Sequence, residues 1–290
     1  MSSANARTCR SIFAVEHKTF QKNSVQSNLH TKLETVSNSK GNVLLIHGLG
    51  DDLTHLNKLS ADFRKAGYSV LRVDLHGHGK TLEDFTKNEK HLPTLLPYEN
   101  NVIDLTQILK DLDFQNPIIV GHSYGGAIAH ALANNLQGHK SFRPTHLVML
   151  APYLRRLDYS YLTGNPLIDA QTEYMGEQYM RNSYREYFES QKRKNVDLLV
   201  NAAIATTKGI RSFNLLSAGK KASLDFQIPL LVIAGTKDEL VKQDQIDNFH
   251  NKLQNEGYDH KIITLEGDHF FPRTLSKETF KVIIGELDRR

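Results

Sequence analysis

Three residues of this chain, in the order Ser123, Asp238, His269, have the side chains of an activated nucleophile. A serine hydroxyl attacks a carbonyl at neutral pH only when a base within hydrogen-bond reach takes its proton. Imidazole is the base suited to that pH, and a carboxylate on its far nitrogen holds the ring in one tautomer and stabilises the imidazolium. Ser123 is the centre of Gly121-His122-Ser123-Tyr124-Gly125. The apolar run Pro117 to Val120 precedes it, and the small-residue run Ala127 to Leu132 follows. That pattern predicts a strand, a sharp turn carrying the serine, and a helix, which is the nucleophile elbow of Gly-x-Ser-x-Gly sequences. Gly121 and Gly125 leave no side chain where strand and helix must approach, and Gly126 and Ala127 keep the next turn thin.

An acyl-transfer site also needs N–H donors for an oxyanion. The helix that starts after Ser123 supplies the backbone N–H of Tyr124. The turn His47-Gly48-Leu49-Gly50 is expected to supply that of Leu49, with His47 bracing the loop. Asp268 reads as a loop-bonding residue, and Glu239, Asp244 and Asp247 are the alternative acids.

These residues require a scaffold that gathers chain positions far apart in sequence. Val43 to Ile46, Tyr68 to Val73, Pro117 to Val120, His146 to Leu150, Pro229 to Ala234 and His260 to Leu265 are apolar runs of strand length. Between them Leu53, Leu56, Leu59 and Phe63, then Val102, Leu105, Leu109 and Leu112, recur at helical spacing. A polar loop with Pro93 and Pro97 precedes the second of these helices. Helices are expected from Gln243 to Gln254 and around Phe280 to Leu287. Strand and helix in alternation predict a mostly parallel, doubly wound α/β sheet, whose ligands bind beyond the C-terminal strand ends. His47, Asp74, Ser123, Asp238 and His269 all follow such ends.

The rhythm breaks at Pro152 and resumes near Ile228. Residues 41–151 and 226–290 are therefore expected to form the core, and 152–225 a helical cap inserted after the sixth strand. The region from 152 to 228 holds seven of the eleven tyrosines. Met180, Tyr184 and Tyr187 lie on one helical face, and most of the tyrosines are expected to pack, with one or two lining a pocket. Residues 1–40 read as a polar tail with edge strands at Ile12 to Val15 and Leu33 to Val36. Lys192-Arg193-Lys194 is expected on a solvated helix face.

Together, His47-Gly48-Leu49-Gly50, Asp74-x-x-Gly77-His78-Gly79, Gly121-His122-Ser123-Tyr124-Gly125-Gly126, Gly235-x-x-Asp238 and Asp268-His269 resemble the α/β-hydrolase fold superfamily, in its capped esterase and monoacylglycerol-lipase-like branch. The resemblance covers roughly residues 40 to 290. It implies hydrolysis of an ester, a thioester or a related bond with no cofactor. One departure is His76, where relatives often carry Arg, and the cap matches no particular relative.

A net charge of +4 spread over 36 Lys and Arg gives no basic patch for nucleic acid. The single Cys9 excludes an intrachain disulfide. No run is long and apolar enough for a membrane span, no secretory core is evident, and the cytoplasm is the expected compartment. His76 to Thr81 ends like a phosphate loop, but Asp74 stands where that pattern needs glycine; Gly48-x-Gly50 lacks the third glycine of a dinucleotide site, at Leu53. His76-x-His78 lacks the further ligands of a metal site. The alternatives to an ester hydrolase are an acyltransferase or carbon–carbon bond hydrolase with the same three residues, or a non-catalytic ligand-binding or scaffold protein on the same fold. A small-molecule ester, its acyl chain ending in a polar or anionic group, is the expected substrate.

Overall fold

The apolar runs form the middle of one sheet. The computed structural model describes residues 15–16, 29–88, 91–154, 166–217 and 220–288. Among them lie strands β1 (Val15–Glu16), β2 (Thr31–Glu34), β3 (Asn42–Ile46), β4 (Ser69–Val73), β5 (Ile118–His122), β6 (His146–Leu150), β7 (Leu230–Gly235) and β8 (His260–Leu265). They are ordered β1-β2-β4-β3-β5-β6-β7-β8. Pairing is parallel from β4 through β8, while β1 and β2 are antiparallel at the edge. This is the α/β-hydrolase fold.

Alternation along each strand sends side chains to opposite faces, and both faces are covered. Leu44, Ile46, Leu71 and Val73 join one core with α3 (Tyr98–Asp111) and α4 (Tyr124–Asn135). Val43, Leu45 and Val70 join the other, against α1 (Asn57–Lys65) and the last helix, Ser276–Leu287. Among the described residues the other helices are α2 (Gly79–Asn88), α5 (Pro166–Ser190), α6 (Val196–Gly209), α7 (Gln243–Asn255) and α8 (Phe271–Thr274), and Ser276–Leu287 is α9.

Several boundaries differ from the sequence reading. The edge strand covers Thr31–Glu34 rather than Leu33 to Val36, because its ladder on β4 runs from Thr31 opposite Val73 to Glu34 opposite Val70. Glu34 is buried there, with Oε2 accepting from Arg72 at 2.7 Å and Ser60 at 2.8 Å. The expected strand at Ile12 to Val15 lies outside the described residues except for Val15. The apolar stretch from Leu53 is broken into a 3₁₀ turn, Leu53–Leu56, and then α1, because Asp52 caps the turn by accepting from the Thr54 N–H at 2.9 Å. Before Pro93, where a polar loop is expected, the chain forms a helix, Gly79–Asn88, anchored by buried Thr81 and Leu82. Lys192 to Lys194 lie in the turn after α5, and Arg193 reaches Asp52 at 3.0 Å.

Both α5 and α6 fall between β6 and β7. Tyr184, Tyr187 and Phe188 of α5 pack with Val196, Leu199, Val200 and Ala203 in a small cluster of their own. Among the described residues, no helix is long and apolar enough to cross a membrane.

Candidate active site

The turn after β5 explains its glycines. Ser123 has φ 52° and ψ −116°, a conformation disfavoured for a residue with a Cβ. It is held by its N–H bond to Leu150 O at 2.9 Å and by its carbonyl, which accepts from Gly126 at 2.9 Å and Tyr153 at 3.0 Å. A Cβ on Gly121 would stand 2.1 Å from Gly125 O, and one on Gly125 would stand 2.4 Å from His47 O. The second contact brings the turn after β3 against the elbow. A Cβ on Gly48 would be 3.3 Å from Ser123 Cβ.

On the other side of β5, the ends of β7 and β8 are stitched together. Thr236 N donates to Leu265 O and Lys237 N to Gly267 O, both at 2.9 Å. Gly235 makes room for this, since a Cβ there would meet Gly267 O at 2.4 Å. The stitching sets Asp238 beside His269, whose Nδ1 donates to Asp238 Oδ2 at 2.8 Å. The two side chains are 1% and 7% exposed. Asp238 Oδ1 accepts from the N–H groups of Leu240 and Val241, both at 2.8 Å. Burial alone would raise the Asp238 pKa; the bond and charge of His269 and the two backbone donors outweigh it and hold the pKa below its ordinary value.

The three sequence-selected residues therefore converge on one end of the sheet. Among the described residues no hydrogen bond joins Ser123 to His269, whose Nδ1 is engaged by Asp238; such bonds often tighten only when substrate binds. Neither the Leu49 N–H nor the Tyr124 N–H has a backbone partner among the described residues. His47 braces its loop, donating from Nδ1 to Gly48 O at 2.8 Å and accepting the Leu75 N–H on Nε2 at 3.1 Å. Asp268 bonds its own loop, accepting the Phe270 N–H at 2.9 Å. Asp74, at the position that disqualified a phosphate loop, accepts from Leu53 N at 2.7 Å and Lys80 N at 2.9 Å. His76 pairs with Asp104 at 2.7 Å.

Other residues at the site escaped the sequence reading. His122 donates from Nε2 to the His269 carbonyl at 2.9 Å, tying the elbow to the loop that carries His269. Burial, with the charge of His269, pushes its pKa down to about 4. Asp51 accepts from His55 Nε2 and Tyr187 Oη, both at 3.0 Å. Burial opposes its ionisation, but His55 and its neighbours hold the pKa at about 2. The Tyr187 ring stacks on Phe270, and Phe188 covers Gly50. A polar residue after a glycine turn and a histidine inside the elbow motif carry no periodic signal, so only the fold reveals them.

Residues 37–267 match the model of the family described as serine aminopeptidase, S33, a span that ends just short of His269. A putative esterase/lipase of Haemophilus influenzae is 30% identical over 87 residues, 30% of this chain and 27% of that protein. An sn-1-specific diacylglycerol lipase of Danio rerio is 28% identical over 92 residues, 31% and 26% of the two chains. The chain thus matches about a quarter of the length of these curated relatives. Among solved structures, an esterase from Exiguobacterium antarcticum superposes with a TM-score of 0.65 at 15% identity, over 90% of this chain and 95% of that one. The enol-lactonase of Burkholderia xenovorans gives 0.63 at 18%, over 90% and 96%. At such identities these likenesses speak for the fold. The family match, spanning most of the chain and including the Gly48 turn, the Ser123 elbow and Asp238, is the stronger finding, and by it the chain belongs to the serine aminopeptidase S33 family of α/β-hydrolase enzymes.

Proposed function

We propose that the chain is a serine hydrolase that cleaves a carboxylic ester or thioester through an acyl-enzyme. The Ser123 Oγ bonds to the substrate carbonyl carbon while its proton passes to His269 Nε2. The resulting oxyanion accepts from the N–H groups of Leu49 and Tyr124. Collapse breaks the bond to the leaving alcohol or thiol, which takes the proton from His269. Water then attacks the acyl-enzyme, gives its proton to His269, and the carboxylic acid leaves as Ser123 regains a proton. Asp238 holds the tautomer and offsets the imidazolium charge.

The observation that carries this reading is the Asp238–His269 bond, which engages Nδ1 and leaves Nε2 as the lone pair of the neutral ring. Residues 152–225 act in this reading as a cap, supported by the contacts of Tyr187, Phe188 and Arg193 with the Gly50–Asp52 turn. The cytoplasm is the compartment proposed, supported by the cysteine content.

The test is turnover of p-nitrophenyl esters from acetate to palmitate, with Ser123→Ala protein alongside. An optimum in chain length that disappears in Ser123→Ala is the expected result. No turnover by the wild type at any length would favour a ligand-binding protein on this fold.

A further inference from the structure

One side chain of α5, Tyr187, touches both halves of the candidate site. Its hydroxyl donates to Asp51 Oδ1 at 3.0 Å, and its ring stands 3.4 Å from the point where a Cβ on Gly50 would lie. The same ring stacks on Phe270, with 5.9 Å between centroids and 9° between planes. Phe270 in turn meets the His269 ring edge-on at 5.4 Å. Tyr187 is thus in contact with the turn that carries Leu49 and with the loop that carries His269.

The turn needs such a hold. Gly50, next to Leu49, has φ 78°, a left-handed conformation that glycine takes without strain. The bond that closes the turn, from Asp51 N–H to Gly48 O, is long at 3.3 Å. At its start the turn is fixed by His47, which donates to Gly48 O at 2.8 Å. At its end it is fixed through the buried Asp51 side chain, which accepts on Oδ1 from Tyr187 and from His55 Nε2, both at 3.0 Å.

Asp51 is also a charge in a sensitive place. Although burial opposes its ionisation, the bond and charge of His55 hold its pKa at about 2, so it is a carboxylate at any working pH. Among the described residues no Lys or Arg pairs with it. The point where a Cβ on Gly48 would lie is 3.5 Å from Asp51 Oδ2 and 3.3 Å from Ser123 Cβ, so carboxylate and nucleophile flank one spot. Negative charge develops on the substrate carbonyl oxygen only as the oxyanion forms. A carboxylate free to turn toward the Leu49 N–H would take that donor and repel the oxyanion. One held by Tyr187 and His55 does neither.

We propose that Tyr187 is a positioning residue for the hydrolysis: its hydroxyl holds the Asp51 carboxylate, and with it the turn that offers the Leu49 N–H to the oxyanion. Docking of α5 on the turn then completes the oxyanion site. This role rests on the ester-hydrolase reading and deepens it. Its effect belongs to the transition state, because the bound ester carries no oxyanion and its binding does not depend on the hydroxyl.

The experiment compares wild-type protein with Tyr187→Phe, which keeps the ring against Phe270 and Gly50 and removes only the hydroxyl. On the p-nitrophenyl ester that the wild type turns over best, kcat is expected to fall about tenfold or more with KM within about twofold, the loss of one hydrogen bond to a charged group. Inhibition by a trifluoromethyl ketone and by the methyl ketone of the same chain is measured in parallel. Ser123 Oγ bonds to the carbonyl carbon of the first, its proton passes to His269, and the ketone oxygen becomes an oxyanion; the second binds without forming that adduct. The trifluoromethyl ketone is expected to weaken by about tenfold or more in Tyr187→Phe, and the methyl ketone by less than about twofold. Made in Asp51→Ala protein, Tyr187→Phe is expected to cost less than about twofold further in kcat, since the hydroxyl acts through Asp51.

Unchanged kcat and trifluoromethyl ketone inhibition, a rise in KM alone, or equal weakening of both ketones would overturn the positioning role and leave the hydrolase standing. A full tenfold further loss in folded Asp51→Ala protein would overturn the action through Asp51. Wild-type protein that neither turns over an ester nor labels at Ser123 with a fluorophosphonate would remove the hydrolase reading, and this role with it.

Discussion

Replacing Asp238 with Asn tests the orientation of the base. Asp238 Oδ1 is fixed by the N–H groups of Leu240 and Val241, so only an oxygen can stand at that position. In Asp238→Asn the amide oxygen must remain there, and the amide nitrogen turns toward His269 Nδ1, where Oδ2 stood at 2.8 Å. Two donors then face each other unless His269 carries its proton on Nε2, and in that tautomer it cannot accept the proton of Ser123. Two losses follow. The carboxylate–imidazolium attraction at about 4 Å is worth about 4 kcal/mol at an effective dielectric constant near 20. Restoring the working tautomer against an unsatisfied buried donor costs about 1–3 kcal/mol more. Their sum, about 5 kcal/mol or more, corresponds to roughly 10⁴-fold in rate, the size typical of such a change on this kind of triad. The assay is kcat/KM on a p-nitrophenyl ester, with the melting temperature measured in parallel and expected to move by less than about 4 °C. A loss below about tenfold in folded protein would refute the reasoning, and Glu239, Asp244 and Asp247 would have to be tested in its place.

Gly125→Ala would put a Cβ 2.4 Å from His47 O and 2.5 Å from Ile46 O, both backbone atoms that cannot turn aside. A loss of about 3 kcal/mol or more in urea unfolding is expected, with turnover falling as the Gly48 turn is displaced; unchanged stability would contradict the close approach. Acid should destabilise the protein well above the ordinary carboxylate range. His122 and His130, both buried, have pKa values lowered to about 4, and buried His78 to about 3. Below pH 6.5 the unfolded chain binds protons that the folded state refuses, so stability falls from pH 6.5 toward pH 4, by about 1.4 kcal/mol per pH unit for each histidine. The Asp51 contribution has a lower window. It is present above the ordinary carboxyl pKa and is lost as pH falls from about 4 through about 2. A melting temperature that is flat from pH 6.5 to pH 4 would refute the histidine account.

What the sequence revealed follows the physical strength of each signal. Strands β3 to β7 are buried on both faces, so Val43 to Ile46 and His146 to Leu150 read as unbroken apolar runs. The elbow was legible because its glycines answer contacts of 2.1 and 2.4 Å that no side chain could survive. At the edge the signal weakens. Glu34 is a charged residue inside a strand, made tolerable by Arg72, a partner that only the fold supplies. Helix α2 went unseen because Lys80, Glu83, Asp84 and Lys87 outnumber its buried residues. Asp51, His55, His78 and His122 meet through loops from three strand ends, and no spacing within one segment encodes such a meeting.

The central claim is that Ser123 is the nucleophile. Its most direct test is the intact mass and peptide map of the protein after reaction with a fluorophosphonate. The account predicts a single adduct on the peptide containing Ser123, loss of turnover in step with labelling, and no adduct on Ser123→Ala protein that retains its fold. An adduct at another residue, or full turnover by Ser123→Ala, would contradict it.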